Sequence, residues 1–295
     1  MQRRSFLKKA AVGVAAGSVA APAIAQSQPA IQWRLAASWP KSLDTIYGAA
    51  ELVARRVGEI TDGKFQIRPF AGGEIVPGLQ VLDAVQAGTV EMGHTASYYY
   101  YGKDPTFSIA TSIGFGGNTR QNYAWWFFGG GAEALAPLFK EYGCIALAAG
   151  STGCQMGGWF RKEIKSVADL KGLKMRIPGL AGRVYAALGV DVKLLPGGEI
   201  FPALERGVID AAEFVGPFQD RKLGLHKAAK YYYTTGWHET ATVSELLVNK
   251  AAWDKLPADL KAIVENAAAA CNVISEAWCQ RTNAEAMEDL VKNQK

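Results

Sequence analysis

The feature that most constrains this chain is an alternation. From residue 31 onward, short apolar runs of strand length are followed by longer amphipathic stretches of helix length. Ile31 to Ala37 reads as a strand. Leu43 to Ile60 reads as a helix, with apolar residues at Leu43, Ile46, Ala50, Val53, Val57 and Ile60, the three-and-four spacing of one helical face. Thr61-Asp62-Gly63 turns into a second strand, Lys64 to Phe70, and a helix over Val76 to Ala87 leads through Gly88 to a strand over Glu91 to Tyr99. Residues 144 to 160 read as extended segments broken by Gly150, Gly153 and Gly157-Gly158. Further strands are expected over Lys174 to Ile177, Val192 to Leu195 and Ala211 to Val215, with helices near Ala181 to Leu188 and Glu199 to Arg206. Strands alternating with helices predict an α/β protein with largely parallel pairing.

The N-terminus stands apart from this pattern. Arg3-Arg4-Ser5-Phe6-Leu7-Lys8-Lys9 is followed by an apolar, small-residue stretch from Ala10 to Ile24, and Ala23-Ile24-Ala25 fits a small-x-small cleavage site. This order of charge, short apolar segment and cleavage site is that of a secretory signal, and the adjacent arginines specify the twin-arginine kind. A membrane anchor is the poorer reading, because the apolar stretch is short and alanine-rich against the ~20 residues of a spanning helix. Residues 1–25 are therefore expected to be removed on export to the periplasm. Arg3, Arg4, Lys8 and Lys9 carry most of the formal net charge of +5, so the basic balance of the whole chain is no argument for a nucleic-acid partner.

Four cysteines remain, Cys144, Cys154, Cys271 and Cys279, none in a C-x-x-C pair, which argues against a zinc ribbon or thioredoxin-like motif. A Cys144–Cys154 disulfide and free thiols are both open, although folding before twin-arginine export weighs against the bridge. From Pro257 to Lys295 there is no glycine and no further proline. That tail is expected to form one helix, roughly 55–60 Å long at 1.5 Å per residue if continuous, long enough to bridge two bodies. The chain is expected to stop inside that helix, short of its natural C-terminus.

Catalytic signatures are scarce. His238-Glu239 is followed by Thr242 where a zinc helix would need histidine. Gly114-Phe115-Gly116-Gly117 has Thr119 where a dinucleotide loop would need a third glycine, and no G-x-S-x-G elbow occurs. His94, His226 and His238 read as hydrogen-bonding residues rather than ligands.

The informative stretch runs from Asp169 to Pro217. Lys174-Met175-Arg176-Ile177-Pro178-Gly179 puts an arginine near the end of an apolar strand, before a turn and a helix. Strand ends are where α/β proteins place ligands, and a guanidinium there clamps a carboxylate through two charge-assisted bonds. A surface arginine paired to a neighbour is the other reading. The segment from Leu194 through Pro196-Gly197-Gly198-Glu199 and Phe201-Pro202-Ala203-Leu204 to Gly207-Val208-Ile209-Asp210 resembles the extracytoplasmic solute receptors of TRAP transporters, the DctP-type family of tripartite carriers that use a soluble binding protein. The Met175-Arg176-Ile177-Pro178 segment and the upstream Val85-Gln86-Ala87-Gly88-Thr89-Val90-Glu91-Met92 match in family order. The resemblance covers essentially the whole chain after residue 25.

The resemblance implies a two-lobe, Venus-flytrap architecture with crossing strands and a long bridging C-terminal helix. The implied boundaries are 26–150 with about 237–256 for one lobe, 151–236 for the other, and 257–295 for the helix. Through Gly153-Cys154-Gln155-Met156-Gly157, Arg176 and Ala212-Glu213-Phe214-Val215-Gly216-Pro217 the chain is most similar to receptors for 2-oxo monocarboxylates such as pyruvate. In that subgroup the residue matching Arg176 holds the substrate carboxylate. Those matching Gln155, Glu213 and the Phe214 backbone hold a cation that also touches the ligand, with Glu239 a further carboxylate for it. Sodium is favoured for that cation, with calcium the alternative. Phe214 stands where tryptophan is expected, which alters the apolar wall and not the backbone ligand. Glu213 capping or pairing with a lysine, and Gln155 satisfying a backbone group, are the structural alternatives.

Within Tyr98-Tyr99-Tyr100-Tyr101, strand alternation sends Tyr98 and Tyr100 to one face, either toward a keto oxygen of the ligand or into packing between helices. Trp125-Trp126-Phe127-Phe128 reads as helix packing or as a contact to membrane subunits. The implied partners are a small organic acid, the TRAP membrane permease and, through the long helix, a second copy in a homodimer, with no nucleic acid. A receptor for a C4-dicarboxylate or a lactate–calcium complex is the alternative, and an exported cofactor-dependent enzyme the more distant one.

Overall fold

The computed structural model describes residues 30–234 and 236–294; the export signal expected over 1–25 lies outside the described residues. The chain opens with β1 (Ile31–Ala37), α1 (Tyr47–Ile60), β2 (Phe65–Phe70), α2 (Val81–Gln86) and β3 (Met92–Thr95). Helices α3 (Phe107–Thr111), α4 (Thr119–Phe128) and α5 (Gly131–Glu141) lead to β4 (Cys144–Ser151). The next stretch carries β5 (Gly158–Phe160), β6 (Lys174–Arg176), α6 (Gly179–Ala187), β7 (Asp191–Lys193), α7 (Gly197–Glu205), β8 (Ala211–Ala212), α8 (Pro217–Lys222), α9 (Leu225–Ala228) and β9 (Tyr231–Tyr233). Then come β10 (Val243–Asn249), α10 (Lys250–Lys255) and α11 (Ala258–Asn293).

The strands form two five-stranded sheets among the described residues, ordered β2–β1–β3–β10–β4 and β7–β6–β8–β5–β9. The expectation of largely parallel pairing needs correction, since both sheets are mixed. β1 runs parallel to β2 and β3, whereas β10 is antiparallel to β3 and β4. In the second sheet β6 runs parallel to β7 and β8, whereas β5 is antiparallel to β8 and β9. Connectivity explains the pattern. The chain crosses to the second sheet between β4 and β5 and returns between β9 and β10. In each sheet the reversed strand is the one that arrives by a crossing. β10 is buried along almost its whole length, as befits a strand inserted between two others.

The two crossings are tied to each other. Gln155 N–H donates to the Glu239 carbonyl at 3.0 Å, and Gly157 N–H to the Tyr233 carbonyl at 2.8 Å. The 36-residue α11 spans both sheets' surroundings. Near its middle, Asn272 accepts from Gly150 N–H at 2.7 Å and donates to the Ala148 carbonyl at 3.0 Å, and the Ser275 hydroxyl accepts from Ser151 N–H at 3.0 Å. Toward its end, Asn283 accepts from Phe218 N–H at 3.0 Å and Asp289 pairs with Arg221 at 2.7 Å. The helix thereby fixes the end of β4 on one side and α8 on the other.

The four cysteines are free. Cys144 begins β4 and Cys154 lies beyond its end, so an eight-residue strand at about 3.3 Å per residue separates them, and no bridge can span that distance.

Candidate functional site

The site is assembled where β6, β8 and the two crossings meet. Arg176 is the last residue of β6 and is 0 % exposed. It is the one arginine or lysine buried among the described residues. Its Nε donates to the Leu195 carbonyl at 3.1 Å and Nη1 to the Glu213 carbonyl at 2.6 Å. Nη1 also lies 3.6 Å from Glu213 Oε2, and the guanidinium stands 5.3 Å from the centre of the Phe214 ring. Nη2 has no partner among the described residues. Burial works against the charge of Arg176, but the Tyr99 phenol and the Glu213 carboxylate outweigh it and hold its pKa above the ordinary value.

Glu213 follows β8 directly and is fully buried, and no hydrogen-bond donor reaches either carboxylate oxygen. Besides Arg176, it stands next to His238, whose Nε2 lies 3.4 Å from Oε1. Burial alone would lower the His238 pKa, but the Glu213 carboxylate more than offsets it and the net direction is upward. Glu239, on the returning crossing, is buried and its Oε2 accepts from the Thr242 hydroxyl at 2.6 Å. Burial, and then the neighbouring Glu213, push the Glu239 carboxyl up to about 7. Gln155, on the outgoing crossing, donates through Nε2 to the Thr152 and Thr242 hydroxyls at 3.0 Å each, while its buried Oε1 has no partner among the described residues. Thr242 thus links the amide of Gln155 to the carboxylate of Glu239.

These residues fit a hard cation. A buried carboxylate without donors costs several kcal/mol unless a charge compensates it, and Glu213 is such a group. Oxygen donors from Glu213, Glu239 and Gln155 suit sodium or calcium, which take carboxylate, amide and carbonyl ligands. One ligating atom each from Glu213, His238 and Glu239 lies within 4.8 Å of the others. An imidazole nitrogen is the softer donor in that group. Sequence reasoning treated His238 as an ordinary hydrogen-bonding residue; in the structure neither ring nitrogen has a hydrogen-bond partner among the described residues, and Nε2 stands beside the Glu213 carboxylate.

The tyrosine run departs from expectation. β3 stops at Thr95, and Ser97–Tyr100 forms a 3-10 turn, so Tyr98 and Tyr100 do not alternate onto one face. Tyr100 points into the first sheet's core, where its hydroxyl accepts from Leu82 N–H at 3.1 Å and bonds the Thr95 hydroxyl at 2.9 Å. With its hydroxyl engaged there, Tyr100 is not turned to the site. Tyr98 does face the site, and the phenol of Tyr99, which sequence reasoning passed over, interacts with the Arg176 guanidinium. The turn is anchored by Glu245 on β10, which accepts from Ser97 N–H at 2.8 Å and from the Thr111 hydroxyl at 2.9 Å.

Next to this cluster lies a cavity of about 280 Å³. Glu239, His238 and Tyr98 form its polar end, and it is bounded on one side by α6 and on another by residues 112–115. The two sides approach closely. Gly179 has φ +61° and a Cβ there would stand 3.0 Å from the Tyr98 Cβ. The Gly114-Phe115-Gly116-Gly117 segment, no dinucleotide loop, forms part of the rim, with Phe115 stacked on Trp237 at 5.4 Å. In the Trp125–Phe128 run, Trp126 is buried and Phe128 is 93 % exposed, a packing helix with one bare aromatic.

Residues 35–295 match the family described as bacterial extracellular solute-binding protein, family 7. The chain is 52% identical to the monocarboxylate 2-oxoacid-binding periplasmic protein of Nostoc sp. over 99% of this chain and 81% of that one. Its fold is similar to that of a TRAP transporter solute-binding protein from Bordetella bronchiseptica (TM-score 0.88, 48% identity, 90% of this chain and 79% of the other). That protein is a mixed-occupancy dimer with copurified calcium and picolinate in one active site. It is also similar to a TRAP periplasmic solute-binding protein from Pseudoalteromonas atlantica with bound sodium and pyruvate (TM-score 0.87, 42% identity, 90% and 80% covered).

Proposed function

This chain belongs to family 7 of the bacterial extracellular solute-binding proteins, a family of transport receptors and not of enzymes, and we propose that it captures a small, pyruvate-like 2-oxo monocarboxylate together with a cation and delivers it to a TRAP-type membrane permease. The observation that carries this reading is a pair of buried, incompletely satisfied opposite charges: Arg176 Nη2 and the Glu213 carboxylate, both without hydrogen-bond partners among the described residues. A guanidinium N–H so placed calls for an anion, and the carboxylate beside it calls for a cation. A 2-oxo acid with a bound sodium or calcium ion answers both, because its carboxylate and keto oxygens chelate a hard cation. The relatives that carry calcium with picolinate or sodium with pyruvate support the same pairing.

In this reading Arg176 holds the ligand carboxylate, with Tyr99 braced against it and Tyr98 at the ligand's edge. Gln155, Glu213, the Phe214 backbone carbonyl and Glu239 hold the cation, which neutralises the carboxylates and orients the keto acid. Because Arg176 is the one buried cationic side chain of its type among the described residues, a single carboxylate is served, which favours a monocarboxylate over a C4-dicarboxylate. The first sheet and its helices (26–150 and about 237–256) act as one lobe, 151–236 as the other, and 257–295 as the bridging helix. Ligand contacts from both lobes then favour hinge closure. Residues 1–25 direct the protein to the periplasm by the twin-arginine route, and a homodimer through the long helix fits the dimer of the Bordetella relative.

Isothermal titration of cation-stripped protein with pyruvate, with and without sodium or calcium, tests the reading. Binding that needs the cation and is lost in Arg176→Ala is expected. No heat with any 2-oxo acid, or undiminished binding by Arg176→Ala, would overturn it.

A further inference from the structure

The cavity beside the polar cluster has no task in holding a carboxylate or a cation. Its polar end is made of Glu239, His238 and Tyr98; the remainder is Ser112, glycine and proline backbone, and apolar side chains, chiefly Ile113, Phe115, Leu180, Val184 and Trp237. No lysine or arginine lines it among the described residues. We infer that this cavity is the side-chain subsite of the receptor, and that the preferred cargo is a 2-oxo monocarboxylate with an apolar side chain larger than methyl, branched aliphatic or aryl. The inference rests on the 2-oxo acid reading above and specifies which members of that class the site selects.

Three observations support it. The first is size: an apolar cavity of about 150 Å³ is enough to hold benzene, and this one is about 280 Å³. A methyl group leaves most of its wall in contact with water. The second is continuity. Glu239 belongs both to the cation cluster and to the cavity lining, so a ligand anchored there is at the cavity's mouth. Pro178 and Gly179, two and three residues after Arg176, line the same space. The third is construction. Phe115 holds a left-handed backbone at φ +57°, which is strained for a bulky residue. It is kept there by its N–H donating to the Trp237 carbonyl at 2.7 Å and by stacking on the Trp237 ring. Gly114 lets that ring lie close, since a Cβ there would stand 3.0 Å from Trp237. Trp237 also stacks on Tyr185 of α6, at 6.0 Å. The result is an aromatic wall fixed from both sides of the site. Its chemistry disfavours a second carboxylate, which would meet Glu239 and no lysine or arginine.

Each methylene moved from water into such a wall strengthens binding by about fourfold. The test is calorimetric titration, at fixed calcium, of pyruvate, 3-methyl-2-oxobutanoate, phenylpyruvate and 2-oxoglutarate. The branched and aryl acids are expected to bind at least about tenfold tighter than pyruvate, and 2-oxoglutarate weakest of the four. The same series with Val184→Trp, which fills the cavity from its exposed side, is expected to bring the ratio of 3-methyl-2-oxobutanoate to pyruvate affinity down toward one. Pyruvate binding as tightly as the larger acids, or a ratio unchanged in Val184→Trp, overturns the inference while leaving the 2-oxo acid reading intact. No binding of any 2-oxo acid overturns both.

Discussion

At the residue scale the decisive feature is Arg176, whose burial is tolerable because Leu195 and Glu213 carbonyls, the Glu213 carboxylate and Tyr99 surround it. Removing one partner of a buried pair costs about 3–5 kcal/mol because the other charge is stranded. Arg176→Ala is therefore expected to lower denaturant stability by about that much and to abolish ligand binding by calorimetry. Arg176→Lys restores a charge but not the planar fork, so it should recover part of the stability and little of the affinity. A second residue gives a pH signature away from the cation cluster. Burial pushes the Glu245 carboxyl from its ordinary 4.5 up to about 8. The folded protein therefore holds that proton where the unfolded chain has released it. Stability is fully favoured below about 4.5 and falls as pH rises toward about 8, by about 1.4 kcal/mol per pH unit inside that window. Glu245→Gln keeps a neutral acceptor for Ser97, and its stability should decline less between pH 5 and 8 when both proteins are followed by urea unfolding. Arg176 stands out in the sequence by its strand-end position, and Gln155 and Glu213 only through the family resemblance. Tyr99 was not legible there, since its facing depends on where β3 stops and on Glu245, 148 residues beyond Ser97, capturing the Ser97 N–H.

At the scale of elements, the strand–helix alternation marked β1 to β8 and helices α1, α2, α6, α7 and α11, because amphipathic periodicity is written locally; α3, α5, α8 to α10, β9 and β10 were not read from it. It did not give the direction of the two reversed strands, because β5 and β10 have ordinary strand sequences and their direction follows from where the crossings enter. Helix α6 makes a close approach across the site, through Gly179. An alanine there takes on a positive φ, unfavourable by roughly 1–2 kcal/mol, and its Cβ meets Tyr98 at 3.0 Å. Gly179→Ala is expected to weaken ligand binding at least about tenfold, with the ligand-bound protein more expanded in small-angle scattering than the parent. Parent-like affinity would show that the approach of α6 to the tyrosine turn is no part of closure.

For the whole molecule, binding is linked to stability. On the proposed reading, ligand and cation compensate the buried charges of Arg176, Glu213 and Glu239, so both together should stabilise the fold. At a hundredfold excess over Kd the gain is about 2.7 kcal/mol, which for a chain of this size is roughly 5–10 °C in Tm. Differential scanning fluorimetry should show that shift with 2-oxo acid plus calcium, and a calcium chelator in sodium-free buffer should remove it. The two-sheet architecture and bridging helix were legible from motif order and from the glycine-free tail; the apolar cavity was not, because its walls come from segments 112–115, 178–184 and 237–239 that only the fold brings together. The central claim is that one cluster holds a cation on its carboxylates and an anion on its arginine at once. A crystal structure grown with calcium and a 2-oxo acid, with anomalous data collected for calcium, tests it most directly. An anomalous peak bonded to Glu213 and Glu239 and to the keto acid is expected, with the acid's carboxylate on Arg176. A calcium peak elsewhere, or a ligand carboxylate that does not touch Arg176, would contradict it.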